Sequence, residues 1–310
     1  MPPVSRSAGP SEHATSGAAG FNGEIVAAYG RQFVVESAAG ALVRCVTRGK
    51  RTELACGDRV AFAPTGPDEG VIESVAPRSS LMHRAAVHRT KLLAANVTQV
   101  AIIVAVEPSY SDELMSRAIV AAEATGLRVF IVLNKMDLPT SPTARARLAP
   151  FERAGYPVVE LAAIVDIEPL RTHLEGKRTV LIGQSGMGKS TIVNALVPGT
   201  EAATAEISKF LASGRHTTTH SRLYRLPGYA EPTTLIDCPG MQEFGLAHLT
   251  RGDIEQGFRE ARPYFGQCRF SDCRHLTEPD CALKTAVEAG AIDPRRFALM
   301  QRILSVEARR

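Results

Sequence analysis

Residues 183 to 190 read Gly183-Gln184-Ser185-Gly186-Met187-Gly188-Lys189-Ser190. This fits G-x-x-x-x-G-K-[ST] in full. Each residue type has a reason to be there. The glycines let the backbone turn so tightly that successive N–H groups converge on one anion. Lys189 can reach the β- and γ-phosphates of a nucleotide, and the Ser190 hydroxyl can sit on Mg²⁺. The apolar run Thr179 to Ile182 reads as a strand before the loop, and Thr191 to Leu196 as a helix after it. The N-terminus of that helix attracts phosphate in its own right. A chance match in a chain of this length is expected on the order of 0.01 times. A ligand-free glycine turn is therefore a poor account of the segment.

A second cluster, Asn134-Lys135-Met136-Asp137, closes the strand Arg128 to Leu133. It is the N-K-x-D pattern that reads guanine. The Asp137 carboxylate can accept from N1–H and the exocyclic amine together. Adenine lacks that donor pair and would leave the carboxylate unsatisfied. The Lys135 stem can lie over the base, and Asn134 braces the surrounding loops. A third cluster, Asp237-Cys238-Pro239-Gly240, has the form D-x-x-G. Asp237 would hold Mg²⁺ through water, and the Gly240 N–H would meet the γ-phosphate. Between them lies Gly214-Arg215-His216-Thr217-Thr218-Thr219. Thr218 is the candidate to complete the Mg²⁺ shell. Met241 stands where many GTPases carry a glutamine that orients water. Intrinsic hydrolysis is thus expected to be slow. His216 is the candidate to position that water, with a phosphate or RNA contact as the alternative.

A fourth cluster serves other chemistry. Cys268-x4-Cys273-x-His275-x5-Cys281 supplies three thiolates and one imidazole, a closed tetrahedral set suited to one structural Zn²⁺. With no open position, no catalytic role is expected of it.

These residues need a scaffold, and the rest of the chain describes one. After Lys91 strands and helices alternate: a strand at Val100 to Val106, a helix capped by Ser111 and running to about Thr125, then the strand that carries Asn134. Such alternation predicts a largely parallel sheet covered by helices. The guanine motif precedes the phosphate loop, the reverse of the usual order. Residues 91–247 therefore read as a circularly permuted GTPase domain, since a sheet with neighbouring termini tolerates permutation. Residues 21–90 predict a small all-β barrel, OB-fold or SH3-like, with runs such as Phe33 to Glu36 broken by Gly40, Gly57 and Gly70. Residues 248–310 predict a helical unit around the Cys/His cluster, ending in a helix at Pro294 to Val306. Residues 1–20, rich in Ser, Ala, Gly and Pro, read as a disordered tail rather than a leader.

Bulk properties narrow the function without fixing it. The 310-residue chain has a formal charge of +4 and 45% hydrophobic residues, a soluble composition. No apolar run is long enough to cross a bilayer, so no membrane partner is expected. Cytoplasmic location and a monomer are the defaults. From Val75 to Val106 there is no acidic residue, while Arg78, Arg84, Arg89 and Lys91 are present. That stretch is either a phosphate-facing surface or a basic, solvated linker.

Together these motifs closely resemble the ribosome small-subunit-dependent GTPase A family, also called RsgA, YjeQ or EngC. The likeness covers about residues 21 to 305 and includes Ala94-Ala95-Asn96-Val97 at the start of the GTPase segment. It implies an N-terminal OB-fold that binds RNA, a permuted domain that uses GTP, GDP and Mg²⁺, and a zinc-binding C-terminal unit. It further implies a role late in maturation of the small ribosomal subunit, with the subunit and its rRNA as partners and as the stimulus for hydrolysis. One departure is that Leu161-Ala162-Ala163 lacks the serine of the family's Ser-Ala pair. An RNA-binding scaffold with a structural GTP site, or a GTPase acting on tRNA or another protein, are the competing functions. Intact Lys189, Ser190 and Asp237 argue against the first.

Overall fold

A computed structural model describes residues 22–30, 32–48, 53–86, 89–200, 221–239 and 244–307. The predicted tail, Thr218, His216, Gly240 and Met241 lie outside them.

The barrel comes first. Strands β1 (Gly23–Tyr29), β2 (Gln32–Ser37), β3 (Leu42–Thr47), β4 (Arg59–Pro64) and β5 (Glu69–Val75) pair in the order β1-β2-β3-β5-β4, and β4 closes back on β1. All pairs are antiparallel except β3 with β5. This is an OB-like Greek-key barrel, which settles the choice of barrel in favour of the OB form. Ile25, Phe33, Val35, Val60, Phe62 and Ile72 fill it, one face of each strand turned inward.

The basic stretch that follows is not irregular chain. It folds as a hairpin, β6 (Leu81–Ala86) with β7 (Arg89–Ala95). Met82, Leu93, Ala94 and Ala95 are buried, which gives the hairpin an apolar anchor in the main core. Asn96, in the left-handed region at φ 55°, ties its base down. The Asn96 side chain accepts from Ser79 N–H at 2.9 Å and donates to Gly57 O at 2.9 Å.

The α/β unit is built on β8 (Gln99–Ala105), β9 (Arg128–Asn134), β10 (Val158–Glu160), β11 (Arg178–Gly183), β12 (Ser221–Arg225) and β13 (Thr234–Asp237). Their spatial order is β10-β9-β8-β11-β13-β12, parallel throughout except for β12. Every residue of β8 is buried, as a central parallel strand covered on both faces requires. Helix α1 (Asp112–Ala124) starts at Ser111, whose Oγ accepts from Leu114 N–H, with Asp112 and Glu113 in the first turn, where the helix dipole favours negative charge. Helices α2 (Ser141–Arg153), α3 (Glu168–Leu174) and α4 (Lys189–Leu196) follow. The sheet does not stop at β12. That strand pairs antiparallel with β1, Ala27 opposite Arg222, so barrel and α/β unit form one eleven-stranded sheet.

The C-terminal region is helical: α5 (Arg251–Gln256), a 3₁₀ turn (Arg259–Tyr264), α6 (Ala282–Glu288) and α7 (Pro294–Glu307). It docks on α1. At Gly257 an added Cβ would lie 2.9 Å from the Val120 backbone, so only glycine allows this approach. Arg296, 1% exposed, enters the interface. It pairs with Glu260 at 2.7 Å, donates to Ser116 Oγ at 3.0 Å and stacks over Phe151 and Phe258.

Candidate nucleotide site

The parallel strands all end on one edge, and the predicted residues gather there, where ligands bind in open α/β sheets. β8 ends before Glu107 and Pro108, β9 at Asn134, β11 at Gly183 and β13 at Asp237. The loop Gly183 to Ser190 runs from β11 into α4. Gly186 and Gly188 take φ +82° and +88°, in the region glycine occupies without cost. At Gly188 a Cβ would fall 2.2 Å from Asn134 Nδ2, so no side chain fits.

Asn134 is buried and braces the edge in two directions. Its Nδ2 donates to Met187 O at 3.1 Å, and its Oδ1 accepts from Ala163 N–H at 3.0 Å. The phosphate loop, the N-K-x-D loop and the loop after β10 are thus joined through one amide. Ala163 makes this bond with its backbone, so the missing serine does not remove it. Lys135, at φ 64°, donates through Nζ to Glu107 O at 2.7 Å. Around them lies a cavity of about 510 Å³, lined by Glu107, Pro108, Asn134, Lys135, Asp137, Ala163, Ile164 and Thr191 among others. Asp137 is exposed at this cavity, with its carboxylate open to a ligand. Sequence reasoning missed Glu107, Pro108 and Ile164. Their position just past strand ends was the available signal for the first two. Ile164, 76% exposed at the cavity rim, carried none.

The phosphate end holds a buried opposite-charge set. Lys189 Nζ donates to Gly183 O at 2.8 Å and Gln184 O at 3.1 Å. Burial pushes the ammonium pKa down while Asp237 draws it up. Burial raises the Asp237 carboxyl to about 6, against the pull of Lys189. Asp237 Oδ1 is buried with no hydrogen-bond partner among the described residues. Such an oxygen, with the exposed Ser190 hydroxyl at the start of α4, is the hard donor set that Mg²⁺ takes. Gln184 and Ser185 contribute backbone to the loop, and the Gln184 side chain reaches elsewhere, accepting from Ser111 N–H at 2.7 Å.

In the C-terminal region Cys268, Cys273, His275 and Cys281 converge, with their ligand atoms all within 4.8 Å of one another. Cys268 Sγ lies 3.9 Å from Cys281 Sγ and 3.6 Å from His275 Nδ1. Tetrahedral bonds of about 2.3 Å to a zinc ion set sulfurs roughly 3.8 Å apart, so the donor set fits Zn²⁺. His275 Nε2 lies 3.8 Å from Glu255 Oε1, the outer carboxylate that commonly orients a metal-binding imidazole.

The strand order, with the guanine-type loop on the first half of the chain and the phosphate loop on the second, defines a circularly permuted P-loop GTPase domain behind an OB-like barrel. Comparison with known proteins agrees. The RsgA GTPase family model matches residues 75–247. The chain is 50% identical over 291 residues to the small ribosomal subunit biogenesis GTPase RsgA of Ralstonia nicotianae, covering 92% of each. It is 49% identical to the protein of that name from Nitrosospira multiformis, over 92% of this chain and 90% of the other. The crystal structure of YjeQ from Thermotoga maritima superposes with a TM-score of 0.69 at 30% identity, covering 93% of this chain and 99% of that one. YloQ, described as a circularly permuted GTPase, superposes at 0.65 and 23% identity over 93% and 95%, a likeness of fold. The chain belongs to the RsgA GTPase family.

Proposed function

We propose that this chain is a GTP-hydrolysing factor that binds the small ribosomal subunit, contacts its rRNA, and assists its biogenesis at a late stage. The relatives' shared name supports the subunit as partner. The observation that carries the nucleotide reading is the Asn134 amide, which joins the phosphate loop to the guanine loop at 3.1 Å beside one cavity. In this reading Asp137 selects guanine, Lys135 covers the base, and Thr191 lies beside it. The N–H groups of Gly183 to Lys189 hold the phosphates. Ser190, Asp237 and Thr218 hold Mg²⁺, with Gly240 on the γ-phosphate. Mg²⁺, when bound, neutralises charge on the β- and γ-phosphate oxygens. Lys189 stabilises the same charge. His216 positions water, in place of the glutamine that Met241 replaces. Cys268, Cys273, His275 and Cys281 hold one structural Zn²⁺. The working division is a barrel to residue 90, the GTPase unit to 247 and the metal unit beyond, in a cytoplasmic monomer.

The test is phosphate release from GTP with and without purified small ribosomal subunits, with large subunits and Asp137→Asn as controls. Strong stimulation by small subunits alone, lost in the variant, is expected. Unchanged release with GTP still bound would favour a scaffold whose GTP site is structural.

A further inference from the structure

Helix α1 cannot satisfy its own first residue. In a capping box the N-cap side chain accepts from the N3 backbone, and the N3 side chain accepts from the N-cap N–H. Helix α5 has this arrangement complete: Thr250 N–H donates to Asp253 Oδ2 at 2.9 Å, and Asp253 N–H to Thr250 Oγ1. At α1 only half is present. Ser111 Oγ accepts from Leu114 N–H at 3.2 Å, but Leu114 has no acceptor to return. The missing acceptor comes from 73 residues away. Gln184 Oε1 takes the Ser111 N–H at 2.7 Å.

Gln184 is the second residue of the phosphate loop, and its backbone is engaged too. Lys189 Nζ, the group expected on the nucleotide phosphates, donates to the Gln184 carbonyl at 3.1 Å. A phosphate that draws Lys189 away changes the bonding of the very residue that caps α1. The other side of α1 carries the C-terminal region. Ser116 accepts from Arg296, Arg117 pairs with Glu307 at 2.6 Å, and Asp112 pairs with Arg295 at 2.8 Å. Val120 abuts Gly257 at the end of α5.

We infer that Gln184 is a positioning residue that fastens the phosphate loop to the N-terminus of α1, and so links nucleotide occupancy to the docking of the C-terminal region on that helix. The inference rests on the reading of Gly183 to Ser190 as the nucleotide site. This link runs through the helix and is separate from the chain connection after Asp237.

The experiment is a double-mutant cycle on the full-length chain. Gln184→Leu removes the acceptor; Ser111→Pro removes the N–H donor together with the Oγ cap on Leu114, a loss common to both arms of that background. Affinity for fluorescent GDP and hydrogen exchange with and without GDP are measured for each. Loss of one hydrogen bond predicts a weakening of about three- to ten-fold for Gln184→Leu, and no further weakening on the Ser111→Pro background. In the unaltered chain GDP should slow exchange in residues 111–124 and 251–256, and in Gln184→Leu the second segment should not respond. Gln184→Met, which offers only a weak sulfur acceptor, should behave much alike and guards against misfolding of one variant. Unchanged affinity, or an equal loss on both backgrounds, overturns the inference. Failure of the unaltered chain to bind GDP would instead sink the site reading itself, and this link with it.

Discussion

The parallel sheet around β8 and the region beyond residue 250 meet along α1 and share one apolar core, yet the second relies far more on local fasteners. β8 is seven residues long and buried at every one. Its neighbours β9 and β11 are nearly so. That core is continuous, and no single side chain decides it. In the C-terminal region α5 and α6 have six and seven residues, lengths that are not stable alone. There an apolar core of Ile254, Phe258, Leu283, Ile303 and Leu304, continuous with that of the sheet, is supplemented by local fasteners: the Cys/His cluster, the buried Arg296 and the glycine contact at Val120. A distributed core loses stability in proportion to what is removed. A region that leans on fasteners loses more when one of them goes.

The largest test of that contrast is at the cluster. If the cluster holds Zn²⁺ as proposed, its removal by a strong chelator should cost on the order of 10 kcal/mol of local stabilisation, and Cys273→Ser a part of that. Exchange protection across residues 251–307 should collapse, while GDP affinity changes by less than about ten-fold. Equal loss of the sheet would show that the two regions are one cooperative unit. Next is Arg296→Met, which strands the Glu260 carboxylate in the interface and should cost about 3–5 kcal/mol by thermal unfolding. Adding Glu260→Leu should recover much of it. On the other side of the comparison, Asp137→Asn should leave stability unchanged and weaken GTP binding about 100-fold, measured by titration.

The smallest effect concerns Asp237. Its folded pKa is raised to about 6 by burial, so the unliganded protein binds its proton more tightly than the unfolded chain does. Stability associated with it is present below the unfolded value near 4 and is lost as pH rises through 6. Asp237→Asn should therefore stabilise the unliganded chain by about 3 kcal/mol at pH 7 and flatten that part of the pH profile. The same change should weaken Mg²⁺-dependent GTP binding. A variant no more stable at pH 7 would show that the site carries no such strain.

Much of this was legible in the sequence, for identifiable reasons. Ser111 marked the start of α1 because an N-cap is a local signal. β8 and β9 showed as uninterrupted apolar runs. The phosphate and guanine loops were legible because their chemistry is set by neighbours in the chain. The β6–β7 hairpin was not, since its few apolar positions sit among basic residues that hide the alternation. Nor could sequence decide the barrel type, because the distinguishing pair, β3 with β5, is a matter of register between distant segments. Arg296 was invisible for a related reason. Arginine is ordinarily exposed, and only the approach of Glu260, Ser116 and two phenylalanines makes a buried one tolerable.

The pairing of β1 with β12 has a consequence for how the molecule is made. β1 to β5 can close into a barrel from their own contacts as soon as they leave the ribosome, but the strand that joins that barrel to the rest of the sheet is synthesised after β11 and the phosphate loop. The half that carries the Asn134–Asp137 loop likewise exists before the half that carries the Gly183–Ser190 loop. Domains form as units during synthesis, and long-range strand pairs form late. The order of the chain thus makes nucleotide binding and barrel attachment nearly simultaneous, both deferred until some two-thirds of the polypeptide has been made.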